Sequence, residues 1–108
     1  MVGLAWRDGA SAFLEVDGNR IEYGMWGPAP GTSKAGSLDA APTIVLLHEG
    51  LGCVALWRDF PEQLARATGC GVFAFSRPGY GQSDPKPLPW PLDYMSREAA
   101  DTLAPVLD

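Results

Sequence analysis

The 108-residue sequence is poor in histidine, cysteine and positive charge, and each shortage removes a class of function. His48 is the sole imidazole, and Cys53 and Cys70 lie too far apart for a Cys-x-x-Cys pair, so a bound metal is not expected. Eight basic against thirteen acidic side chains leave a net charge of −5. That balance offers no footprint for a phosphate backbone or anionic lipid, so neither nucleic acid nor a membrane is an expected partner. The apolar run Ile44–Leu47 is far short of the ~20 residues a bilayer span requires. Arg7-Asp8 stand where a signal peptide would be apolar, and the expected setting is cytoplasmic with reduced thiols.

What remains is a chain for one small α/β domain. At 46% hydrophobic it can bury a thin core, and its 13 glycines and 10 prolines mark it as loop-rich without reaching low complexity. Alternation over residues 11–26, broken by Asp17-Gly18-Asn19, predicts a β-hairpin. The stretch 27–42 holds Pro28, Pro30, Gly31, Gly36 and Pro42 and reads as a loop. From 43 to 108 the pattern is strand, helix, strand, helix. Thr43–Leu47 has the unalternating aliphatic character of a central strand buried on both faces. Residues 59–68 predict a helix with Phe60, Leu64 and Ala67 inward and Gly69 as its stop. Residues 71–75 predict a second apolar strand. A last amphipathic segment follows Ser96, with Ala99, Leu103 and Val106 inward and Pro105 weakening its final turn.

Sheets of this kind keep their sites in the loops at the carboxyl ends of the strands. Two loops qualify: His48-Glu49-Gly50-Leu51-Gly52-Cys53 and Ser76-Arg77-Pro78-Gly79-Tyr80-Gly81-Gln82-Ser83-Asp84. Taken together these residues resemble the α/β-hydrolase family, over about residues 11 to 108. The first loop looks like the family's oxyanion loop, and the second like the signature that follows its next strand.

The resemblance implies the N-terminal part of an α/β-hydrolase sheet, a β-hairpin followed by β-α-β-α, as an incomplete doubly wound sheet. It implies that a backbone N–H of Gly50, with Leu51 as the neighbouring alternative, faces the negative oxygen of a tetrahedral intermediate, since glycine allows close approach. Glu49 departs from the glycine usual in that motif, and Ser76 from a common aspartate. His48 and Arg77 are expected to orient the loops.

No Gly-x-Ser-x-Gly elbow, later acid or later histidine is present, and the resemblance places the elbow just beyond Asp108. The catalytic triad is therefore expected outside this chain, which alone is expected to be inactive. No cofactor is expected, and the expected partner of the full-length enzyme is a small-molecule substrate with an ester or related carbonyl bond. Ser33 and Ser83 are turn residues rather than nucleophiles on this reading, Cys53 and Cys70 are packed thiols, and Tyr80 and Trp90 are candidates for the mouth of a pocket. With the neighbouring strand absent, Thr43–Leu47 would be an open edge suited to self-association. The alternative function is a non-catalytic pseudo-hydrolase or strand-pairing binding module that uses this edge.

Overall fold

The structure, a computed structural model, describes residues 5–31, 42–49, 52–85 and 94–107. Strands β1 (Ala10–Val16) and β2 (Asn19–Trp26) form the hairpin, with Val16 opposite Asn19. Only two residues connect them, and both Asp17 (φ 50°) and Gly18 (φ 80°) lie in the left-handed region. Asp-Gly tolerates that conformation, and its twist matches that of the flanking strands.

Strands β3 (Thr43–Leu47) and β4 (Gly71–Phe75) are parallel and joined through a 3₁₀ turn (Val54–Trp57) and helix α1 (Phe60–Thr68). The four strands make one mixed sheet in the order β1-β2-β4-β3, with β4 antiparallel to β2. Every residue of β4 is buried, as its apolar sequence requires. β3 has the apolar sequence of a central strand but lies at the edge of the described sheet, as expected where its other neighbour is absent. Among the described residues it pairs only with β4, its first four residues are half-buried, and Leu47 is 55% exposed.

Helix α1 also differs from its expected face. Pro61 and Ala65 are buried, whereas Phe60 is 45% exposed. Close approach decides this: a Cβ placed on Gly27 would meet the Ala65 methyl at 3.0 Å, so a small residue must face the sheet. Phe60 instead stacks on Trp57 at 5.9 Å. Gly69 ends the helix in the left-handed conformation, as expected, and its N–H donates to the Ala65 carbonyl.

The main core lies on one face of the sheet, around Ile21, Tyr23, Met25, Phe73, Phe75 and Val106, with Tyr23 and Phe73 stacked at 5.6 Å. Val106 belongs to the C-terminal helical segment, in which α2 (Tyr94–Glu98), a π-helical stretch (Ala99–Leu103) and α3 (Ala104–Leu107) follow without a break. Pro105 has no N–H, and its ring crowds the carbonyl four residues before it. The preceding turn widens, and the Ala104 N–H bonds to the carbonyl of Ala99. The inward line is consequently Glu98, Thr102 and Val106, all buried, while Ala99 is exposed and Leu103 half-buried.

Candidate functional site at the ends of strands β3 and β4

Because β3 and β4 are parallel and adjacent, the loops leaving their carboxyl ends meet at one end of the sheet. His48 follows β3 directly and is buried. Its ring is held from two sides. The Arg77 backbone N–H donates to Nε2 at 3.0 Å, while Nδ1 lies 2.8 Å from the Glu49 carbonyl. An accepting Nε2 requires the proton on Nδ1, so the two contacts together specify one neutral tautomer.

Burial holds the imidazole below its ordinary pKa. The Glu49 carbonyl opposes that, the Arg77 charge adds to it, and the Glu49 charge opposes it again. Arg77 also donates from Nη1 to the His48 carbonyl at 3.0 Å and lies 5.0 Å over the Tyr80 ring, which itself sits 4.8 Å from the imidazole. Residues 48 and 77, the first after β3 and the second after β4, are thus tied together through backbone and side chain.

The second loop is fastened to the hairpin. Ser76, fully buried, donates from Oγ to Glu22 Oε1 at 2.8 Å and accepts the Val54 N–H at 2.9 Å. Ser83 donates to the Ser76 carbonyl at 2.6 Å and accepts the Glu22 N–H at 2.8 Å. Asp84 accepts the Arg20 N–H at 2.8 Å. The Ser83 hydroxyl is therefore engaged on both sides beneath the loop.

Beside these residues lies an apolar cleft of about 170 Å³, lined by Leu47, His48, Phe75, Arg77, Glu98 and Leu103, among others. Arg77 Nε is buried and, among the described residues, has no hydrogen-bond partner. Cys53 is half-buried, Cys70 buried, and both thiols are free. Among the described residues no group of three or more His, Cys, Asp or Glu could hold a metal ion, and no helix is long and apolar enough to cross a membrane.

A family model described as the alpha/beta hydrolase fold matches residues 42–107, more than half of the sequence. The chain belongs to the alpha/beta hydrolase fold family. Two solved structures resemble it, one of aCif and one of the Cif epoxide hydrolase from Acinetobacter nosocomialis. Their TM-scores are 0.63 and 0.62, each at 24% identity over 95% of this chain. At that identity the likeness speaks for the fold alone. The chain spans 27% of the length of each. A comparison with curated protein sequences finds no match.

The candidate oxyanion residues of this hydrolase-fold chain, Gly50 and Leu51, lie outside the described residues, as do Ser33 and Trp90. Their described neighbours Glu49 and Gly52 are joined by a hydrogen bond from the Gly52 N–H to the Glu49 carbonyl, 3.0 Å long. His48 and Arg77 are brought together, and Tyr80 joins them. Sequence reasoning missed Glu22, which alternation assigns to a solvent-facing position, and the buried Glu98. Glu22 meets Ser76 across 54 residues, beyond the reach of any local pattern, while Glu98 turns inward with Thr102 because of the π-helical stretch that follows it.

Proposed function

We propose that this chain is the N-terminal segment of an α/β-fold hydrolase acting on an ester or related carbonyl bond, and that it contributes the backbone donor of the oxyanion hole. The observation that carries the reading is the junction of the two loops through His48 and Arg77 at the carboxyl ends of β3 and β4. Backbone N–H groups stabilise a developing oxyanion only if they are held in place before the charge forms. A neutral His48, hydrogen-bonded at both ring nitrogens, steadies the start of the loop after β3, and Arg77 clamps its carbonyl. On this reading the attacking group, its acid and its base lie outside these residues. Both thiols suit a reducing, cytoplasmic setting.

The test is hydrolysis of a p-nitrophenyl ester by the protein extended through the later acid and histidine as well as the elbow, beside the 108-residue chain. Activity in the extended protein alone is the expected result. Enzyme-like turnover by the 108-residue chain overturns the assignment of the nucleophile. Turnover of an epoxide such as styrene oxide, with none of the ester, shifts the substrate class to that named for the Cif neighbour.

A second reading, a strand-pairing binding module, is favoured by the edge position of the uncharged β3. On that reading two copies associate through their β3 edges, and neither protein hydrolyses ester or epoxide.

A further inference from the structure

We propose that Glu22 and Ser76 form a relay that sets the loop leaving β3 against the loop leaving β4, making Glu22, on the hairpin, a positioning residue for the candidate site. The claim that this positioning serves an oxyanion donor rests on the hydrolase reading; the relay itself does not.

The antiparallel register fixes where Glu22 stands. Tyr23 pairs with Phe75, so Glu22 falls opposite Ser76, the first residue beyond β4, whose N–H donates to the Glu22 carbonyl at 2.9 Å. The side chains repeat the contact at a higher level. Glu22 Oε1 accepts the Ser76 hydroxyl at 2.8 Å and the Gln82 N–H at 3.2 Å. A hydroxyl has a single proton, so donation to Glu22 aims a lone pair of Ser76 Oγ elsewhere. The Val54 N–H occupies that direction at 2.9 Å. Val54 opens the 3₁₀ turn, and Cys53 at its N-cap provides no side-chain bond, so Ser76 caps the turn from the start of the loop after β4.

Packing leaves no slack around the carboxylate. Gly81 has a φ of +52°, and a Cβ there would collide with Glu22 Oε1, lie 2.7 Å from Ser76 Oγ and lie 3.0 Å from the Cys53 Cβ. The glycine at 81 thus lets the loop after β4 pack at one point against Glu22 Oε1, Ser76 Oγ and Cys53. Displacing the Glu22 oxygen frees the Ser76 hydroxyl to turn, and with it the segment immediately after Gly52.

Hydrogen exchange at Val54, which Glu22 does not touch, reports the relay. In Glu22→Ala, Val54 should exchange about tenfold faster, the scale of one lost hydrogen bond. The Phe73 amide at the sheet centre should change by less than twofold. Glu22→Gln keeps an accepting oxygen and should restore Val54 to within about twofold. Unchanged exchange at Val54, or equal acceleration at Val54 and Phe73, overturns the proposal.

Should Glu22→Ala not fold, Ser76→Ala gives the reciprocal reading at Gln82, which Ser76 does not touch. About fivefold faster exchange supports coupling, and no change overturns it. In the extended protein, Glu22→Ala should lower kcat for the ester at least tenfold with KM within about twofold, recovered by Glu22→Gln. Loosening of Val54 with kcat intact overturns the positioning role. Loosening in a protein that hydrolyses no ester leaves the relay standing and removes the hydrolase reading.

Discussion

Strands β3 and β4 are equally short and similarly apolar, yet all five residues of β4 are buried and none of β3 is. The difference lies in their neighbours. β4 is hydrogen-bonded to β2 on one side and β3 on the other, whereas β3, among the described residues, has β4 alone. Strand character is set by local sequence, but burial is set by what the sheet places alongside. The sharpest test is a pair of truncations. Phe73→Ala, which empties the centre of the core, should cost about 3–5 kcal/mol in a urea titration. Val45→Ala, the directly paired residue on half-buried β3, should cost about 1 kcal/mol. Equal costs would mean that β3 is as fully packed as β4.

The two loops divide in the same way, since the one after β4 is fastened to the hairpin at Glu22 and Arg20 while the one after β3 reaches it through Ser76. Gly81 should therefore resist substitution more than a glycine with the same backbone sign and open space. Gly81→Ala combines strain at positive φ with collision against Glu22 and Ser76, and should cost about 2–3 kcal/mol. Gly69→Ala, at φ +71° with nothing within 4 Å of the added methyl, should cost only the strain, about 1 kcal/mol. Thermal denaturation of the two variants checks the order, and a reversed order would show that the clasp at Glu22 is loose.

These contrasts also mark how much the sequence discloses. The hairpin follows from alternation and Asp17-Gly18, the two later strands from unbroken apolar runs, and α1 from its apolar periodicity and Gly69, because their causes are local. The α1 face does not: Phe60, Leu64 and Ala67 form the more apolar stripe, but tight approach to Gly27 selects Pro61 and Ala65. Likewise the π-helical turn before Pro105 brings Glu98 and Thr102 inward in place of Ala99. His48 and Arg77 were legible as residues of the two loops at the strand ends, but their mutual contact was not. Glu22 was not, because its role comes from a register between strands 54 residues apart.

The edge of β3 invites a smaller perturbation. If exposed Leu47 contributes to pairing between copies, Leu47→Lys should reduce the sedimentation coefficient of concentrated samples toward that of a monomer. Stability should move by no more than about 0.5 kcal/mol, as expected for an exposed site. A parent chain that is already monomeric at high concentration would remove the strand-pairing reading.

The mildest expected effect separates the two strand ends by pH. The folded state holds His48 neutral, with its pKa below the ordinary imidazole value near 6.5, whereas the unfolded chain takes up a proton around that value. The unfolded state then binds more protons, so stability is complete above about pH 6.5 and falls as the pH drops below it. Protonation at Nε2 would also set an N–H against the Arg77 N–H that it now accepts, loosening the β3 end from the β4 end. Tm should decline between pH 7.5 and 5.5, a window in which ordinary carboxylates stay charged, and His48→Gln should flatten the decline. Because His48 is the sole imidazole, its nitrogen resonances are unambiguous and should show the proton on Nδ1 at neutral pH. A proton on Nε2, or an equal decline in His48→Gln, would mean that this ring does not couple the two loops.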